Sequence, residues 1–337
     1  MSSPKILLKQ FGTILIGVAV LMALATGCQQ PTSRPPTKVT LQLKWIHQAQ
    51  FAGYYVAKDK GYYAEENLDV TFVPAGPGIN IIDRVVSGQA DFGVAAPEHI
   101  LLQRSQGQPV VAIATTYRRN PFVLVTLAES GITHPADMVG KTAMLGGTDG
   151  LLQFNAMIKK LGLDLASIKI LPYSFDLTPF YNGEVDIAPA FAAGSLIGIL
   201  QTGRQFNLIW PSDYGITVYS DTIVTTDQMI ATNPDLVTRF LRATLKGHRY
   251  AVENPEEALA ISLNYAENAD PAVQAKMIEA SRPLIHTGED HIGWMRAEVW
   301  QQMEEMLLDQ GFLTNPADLD KVYTMQFLEA VYGDTTP

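Results

Sequence analysis

The sequence predicts an α/β protein of two lobes, each built on a doubly wound sheet, with a hinge between them and a helical C-terminal segment. Three observations carry this. From residue 39 onward, short apolar and β-branched runs alternate with stretches of helical spacing. The alternation breaks off near residue 120 and starts again. Beyond residue 226 only helical spacing remains. A length of 337 residues suits about two domains of ~150 residues each. With 47% hydrophobic and 17% charged residues, the chain can bury a sizeable core.

Residues 39–43 are β-branched and apolar, a first strand. Residues 51–60 have helical spacing that Gly61 ends. Residues 68–73 read as a second strand, and 79–87 as a helix stopped by Gly88. A third strand at 91–95 leads through Pro97 into a helix at 98–106. The run 110–116 is nearly all apolar, as a strand covered on both faces should be. Three successive βα units argue for a mostly parallel sheet.

The pattern then restarts, with strands at 122–127 and 141–145 and a helix at 151–161 before Gly162. Further strands fall at 168–171, at 185–189 after the Asn182-Gly183 turn, and at 206–210. Residues 216–226 are the last extended stretch. Helices follow at 235–253, 256–265, 272–280 and 294–310, the first two introduced by Asn233-Pro234 and Asn254-Pro255. Lobe one is therefore expected to comprise 39–120 and 217–337, and lobe two 121–216. A ligand should lie between the lobes, outside the carboxyl ends of the parallel strands. Hinge closure around it is the expected motion.

Ahead of this body, Lys5 and Lys9 precede an uncharged apolar run at 11–25. That run is short of the ~20 residues a spanning helix needs. A basic start, a short apolar centre and small residues at the end read as an export signal over 1–27. Leu24-Ala25-Thr26-Gly27-Cys28 closes it and resembles a bacterial lipoprotein box, which implies lipidation of Cys28. The Pro- and Thr-rich stretch 28–38 reads as a tether between anchor and body.

A formal charge of −10 argues against nucleic acid as a partner, since phosphate backbones need a basic footprint. One cysteine excludes an intramolecular disulfide and any multi-cysteine metal site. None of the six histidines pairs with another at metal-ligand spacing on a helix; His286 and His291 flank a loop with Glu289 and Asp290. Gly146-Gly147-Thr148-Asp149-Gly150 imitates a nucleophile elbow but carries Thr, with no base at a readable spacing. As a glycine-rich turn opening a helix, it offers backbone N–H donors at Gly147, Thr148 and Gly150, and a polar contact at Asp149. Gly76-Pro77-Gly78 lacks the third glycine of a dinucleotide fingerprint. Trp45, Tyr54 and Tyr117 lie near strand ends where a flat ring could stack. Tyr55 and Phe51, four apart, read as core. Glu98 and His99 follow the third strand, within reach of a cleft ligand; Glu98 equally suits the first turn of a helix. No metal and no cofactor is expected.

Leu43-Lys44-Trp45, Phe51-Ala52-Gly53-Tyr54-Tyr55-Val56-Ala57 and Lys60-Gly61-Tyr62-Tyr63 resemble the opening of ABC-importer substrate-binding proteins of the thiamine-pyrimidine type. Gly76-Pro77-Gly78-Ile79-Asn80, the run from Ser87 to Val94, Asp213-Tyr214-Gly215 and residues 291–311 extend the likeness to about residues 39–328. The resemblance implies a periplasmic-binding fold, a small-molecule ligand and no catalysis. It also implies permease and ATPase partners, with the protein a monomer held at the bacterial membrane surface by its lipid. Members bind formylated or hydroxymethyl aminopyrimidines; relatives bind riboflavin or sulfonates.

The same superfamily holds fungal thiamine-pyrimidine synthases, which consume pyridoxal phosphate and a histidine of their own chain. Their lysine position falls on Ala95 here and their histidine position on His99; their cysteine-rich motif has no counterpart. Without the amine no Schiff base forms there. Many importer relatives follow a lobe-two aromatic with Asn-Glu, whereas Phe191 here is followed by Ala192-Ala193-Gly194-Ser195. Phe191 remains a candidate stacking wall, and the missing acid leaves a larger flat ligand such as a flavin open. The expected function is capture of a flat heteroaromatic nutrient, an aminopyrimidine first and riboflavin second.

Overall fold

The computed structural model describes residues 35–76 and 78–333, so Cys28 and the expected export signal over 1–27 lie outside the described residues. Strands β1 (Thr37–Gln42), β2 (Leu68–Val73), β3 (Phe92–Ala95) and β4 (Val110–Thr115) belong to one sheet. Strands β5 (Phe122–Leu127), β6 (Thr142–Leu145), β7 (Lys169–Pro172), β8 (Ile187–Phe191) and β9 (Phe206–Ile209) form a second. β10 (Thr222–Thr226) returns to the first. The orders are β2-β1-β3-β10-β4 and β7-β6-β8-β5-β9.

Both sheets are mostly parallel, as expected, with four strands running one way and a fifth reversed. β1 runs parallel to β2 and β3, and β6 parallel to β7 and β8. In each sheet one strand opposes its neighbours. β10 is antiparallel to β3 and β4, with Thr222 opposite both Ala95 and Thr115. β5 is antiparallel to β8 and β9, with Phe122 opposite Phe191. These are the two strands that the chain enters directly from the other sheet. A crossing arrives at the edge where the parallel strands end, so the strand it feeds must run the other way.

Period-two alternation sends side chains to both faces of the second sheet. Phe122, Leu124, Ala143, Leu145 and Ile187 join the large core that also fills the first lobe. Val123, Val125, Met144, Ala188 and Ala190 form a second cluster on the opposite face. All six residues of β4 and of β5 are buried, which explains their unbroken apolar sequences.

The helices that matter to the site are α1 (Ala52–Asp59), α2 (Ile81–Val86), α3 (Pro97–Ser105), α4 (Gly147–Lys160) and α5 (Ser195–Leu200). The C-terminal segment adds α6 (Pro234–Glu253), α7 (Pro255–Leu263), α8 (Pro271–Ile285) and α9 (Ala297–Asp309). α4 starts four residues before the apolar spacing does, because its first turn is glycine-rich. α8 runs past the expected 280 to Ile285, and the extended stretch at 216–226 is a strand only from Thr222. α1 and α6 approach closely where glycines meet: a Cβ on Gly247 would stand 2.3 Å from the Gly53 carbonyl oxygen.

Helices also bridge the two sheets. α9 touches both α3 and α4, and α8 meets α5. Lys159 of α4 pairs with Asp309 of α9 at 2.6 Å, and Gln310 Nε2 donates to the Leu152 carbonyl at 2.9 Å. Among the described residues no helix is long and apolar enough to cross a membrane.

Candidate functional site

Two crossings, residues 116–121 and 216–221, connect the sheets and hydrogen-bond to each other. Thr116 N–H donates to the Asp221 carbonyl at 2.7 Å, Ser220 N–H to the Tyr117 carbonyl at 3.0 Å, and Asn120 Nδ2 to the Tyr219 carbonyl at 2.8 Å. Beside them, charged side chains from both lobes converge. Lys44, two residues past β1, places Nζ 2.6 Å from Asp221 Oδ1, and Gln50 Nε2 donates to Asp221 Oδ2 at 2.7 Å. Glu98, in the first turn of α3, is 2% exposed. Asp149, in the first turn of α4, accepts from Gln153 Nε2 at 2.6 Å and from Asn120 Nδ2 at 3.3 Å.

The electrostatics join these groups across the lobes. Burial pushes the Asp149 carboxyl up to about 7, the nearby Glu98 charge adds to the rise, and Lys44, Gln153 and Asn120 oppose it. Burial likewise raises Glu98, with Lys44 partly offsetting. For Lys44, burial pulls the ammonium down, but Asp221, then Asp149 and Glu98, hold it above its ordinary value. His99 is lowered by burial and drawn up by Asp149. One lysine therefore faces three carboxylates, and the two not paired with it come from facing helix starts, one in each lobe.

The sequence candidates fall into three groups. Glu98 and Asp149 belong to this charged cluster, with His99 beside it. Gly147, Thr148 and Gly150 form the first turn of α4, and Gly147 takes φ +72°, a left-handed value that favours glycine. A Cβ on Gly150 would meet Phe122 at 3.1 Å, so the turn lies against β5. Phe191, the last residue of β8, is 36% exposed and edge-on to Phe122 with centroids 6.1 Å apart. Trp45 is half-buried against the lobe-one core, its carbonyl accepting from Ala75 N–H at 3.1 Å. Tyr54 and Tyr117, expected to wall the cleft, present no face to it here; each is 1% exposed. Tyr54 packs edge-on against His248 at 4.6 Å, and the Tyr117 hydroxyl donates to Ser281 Oγ at 2.6 Å.

Lys44, Gln50, Asn120 and Asp221 were not singled out from sequence. Lys44 could have been, since it follows a strand's carboxyl end. Asp221 could not, because its partners are remote in the chain. Tyr173 and Phe175, just past β7, were also missed. In the loop holding His286 and His291, Asp290 pairs with Arg118 of the first crossing and with Arg296. A 370 Å³ pocket opens beside His99, lined by α2 and α3 with Gly78 and Ala96.

Two five-stranded α/β sheets joined by paired crossings match the fold of periplasmic substrate-binding proteins. The structure of the putative sulfonate ABC transporter component SsuA from Methylobacillus flagellatus matches with a TM-score of 0.70 at 16% identity, covering 90% of this chain and 98% of that one. The chain has the substrate-binding-protein fold of ABC importers. It belongs to the NMT1/THI5-like family, whose profile matches residues 48–258. The riboflavin-binding protein RibY of Chloroflexus aurantiacus is 27% identical over 94% of this chain and 97% of its own length. The formylaminopyrimidine-binding protein of Halalkalibacterium halodurans is also 27% identical, over 94% of this chain and 99% of its own. Other relatives, such as one from Legionella pneumophila at 25% identity over 89% of this chain and 96% of its own length, are named 4-amino-5-hydroxymethyl-2-methylpyrimidine phosphate synthase.

Proposed function

We propose that this chain is the non-enzymatic capture subunit of an ABC importer for a flat nitrogen heterocycle, an aminopyrimidine thiamine precursor first and riboflavin second. It is exported, held at the membrane by lipid on Cys28, works as a monomer and delivers its ligand to a permease and its ATPase. The observation that carries the ligand class is the meeting of Glu98 and Asp149 beside Lys44 and Asp221. Formally one cation faces three anions. Such a site favours a neutral or cationic ring whose N–H groups donate to carboxylates. It opposes a sulfonate, whose charge would add to the excess. The names of the riboflavin- and formylaminopyrimidine-binding relatives support the same class.

The chemistry disfavours a synthase. Ala95 offers no amine. The amine that does reach the cluster, Lys44, is held as an ammonium by Asp221, and an ammonium is not a nucleophile. The excess negative charge also opposes a phosphorylated cofactor.

Calorimetry on the purified mature protein tests this, with an aminopyrimidine, riboflavin and an alkanesulfonate as ligands and a parallel incubation with pyridoxal phosphate. Binding of a heterocycle without sulfonate binding or product formation is expected. Binding of the sulfonate alone, or a pyrimidine formed from pyridoxal phosphate, overturns the reading. The mass of the mature chain checks the anchor, which an unmodified Cys28 would exclude.

A further inference from the structure

Phe175 is 76% exposed, more than any other large hydrophobic side chain among the described residues. Its loop is ordered by local bonds: Asp176 N–H donates to Ser174 Oγ at 3.1 Å and Thr178 N–H to Asp176 Oδ1 at 2.9 Å. Phe175 packs edge-on against Tyr173, centroids 5.1 Å apart, and Tyr173 is itself 39% exposed. This aromatic pair is held outside the core, where it is accessible to a ligand.

Its position suggests that role. β7 ends at Pro172, beside β6, whose end leads into Gly146 and α4. A Cβ on Gly146 would stand 2.5 Å from the Tyr173 Cβ, so the tyrosine lies directly on the start of α4. On the other side of β6, β8 ends in Phe191. The α4 turn that carries Asp149 is thus flanked by aromatic side chains on both neighbouring strands. Adjacent strands lie ~4.8 Å apart, so β7 and β8 are separated by ~10 Å. A single six-membered ring covers about one such spacing; a fused ring system covers both.

We propose that Tyr173 and Phe175 are specificity-determining residues of the cleft, gripping with Phe191 the two ends of a fused multi-ring ligand laid across the start of α4. This rests on the reading of the cleft as a heterocycle site and narrows it. A single-ring ligand reaches Phe191 and the carboxylates but leaves the β7 pair unused.

The test compares lumiflavin, a fused tricycle, with 4-amino-5-hydroxymethyl-2-methylpyrimidine, a single ring, on wild type, Phe175→Ala and Tyr173→Ala. Phe175 is too exposed for its truncation to threaten folding; thermal melts check this for both variants. Loss of one aromatic contact should weaken lumiflavin binding by about three- to tenfold in either variant. Pyrimidine affinity should stay within about twofold. Unchanged lumiflavin affinity in both variants, or pyrimidine binding by a wild type that ignores lumiflavin, overturns the second wall and leaves the heterocycle reading standing. A wild type that binds neither probe overturns both. Equal weakening of both probes also overturns the proposal, since the loop would then act on the site as a whole.

Discussion

Replacing Asp221 with Asn separates charge from shape at the centre of the site. The amide keeps the size of the carboxylate, and the backbone carbonyl still accepts from Thr116. What disappears is the charge that receives Lys44 Nζ at 2.6 Å and Gln50 Nε2 at 2.7 Å. One end of the new amide is itself a donor and must face one of those two donors. Hydrogen bonds to a charged group contribute about 1.5–3 kcal/mol each. Removing one partner of a buried pair costs about 3–5 kcal/mol. Two factors reduce that figure here. Lys44 keeps 23% of its side chain exposed against 1% for Asp221, so water screens the orphaned ammonium. Glu98 and Asp149 also remain to attract it. The net loss should be about 2–4 kcal/mol, which lowers the unfolding midpoint by roughly 3–6 °C in a chain of this size.

Urea unfolding of wild type, Asp221→Asn, Lys44→Met and the double variant completes the cycle. Each single variant strands a charge or a donor, and the double variant strands neither charge. The double variant should therefore be more stable than the sum of the singles implies, by about 1.5 kcal/mol or more. Additivity within about 0.5 kcal/mol, or an Asp221→Asn protein as stable as wild type, would refute the view that this pair organises the site.

Two further outcomes follow from the same geometry. The Asp149 carboxyl is raised to about 7 from an unfolded value of 3.8, so its contribution to stability is full below 3.8 and lost as pH rises through 7. Glu98 acts in the same sense, while His99 and the buried His248, both lowered, act in the opposite one, so the difference between wild type and Asp149→Asn is the informative curve. Asp149→Asn should gain midpoint temperature over wild type between pH 4 and 7; a difference independent of pH would remove Asp149 from the buried pair. Trp45→Ala should weaken heterocycle binding by about ten- to a few-hundred-fold if its indole stacks on the ligand. A stability loss with affinity unchanged would assign Trp45 to the core it already packs against.

How far the sequence could be read depended on whether the signal was local. β2 and β5 occupy the residues expected of them, 68–73 and 122–127, because apolar runs bounded by turn residues are local facts. Strand direction is not. Nothing in the composition of β5 or β10 says that they oppose their neighbours; that follows from where each crossing enters its sheet. α4 was read short because glycine hides a helix start from any apolar period.

The site divides along the same line. Glu98, His99 and Asp149 were visible because each sits just past a strand. Lys44 and Asp221 owe their importance to a contact that spans about half of the chain and exists only once β10 has returned to the first sheet. The acid absent after Phe191 is the instructive case. Ala192 and Ala193 are buried beyond Phe191, and the second-lobe carboxylate of the charged cluster comes from the next strand over, as Asp149 on α4. An acid on a helix start is held by the helix and by Asn120 and Gln153, and stands one strand closer to β7. Under the proposed reading, an acceptor moved in that direction sets the centre of the site nearer Tyr173 and Phe175, so that the departure at Phe191 and the exposed aromatic loop would belong to one change in ligand shape.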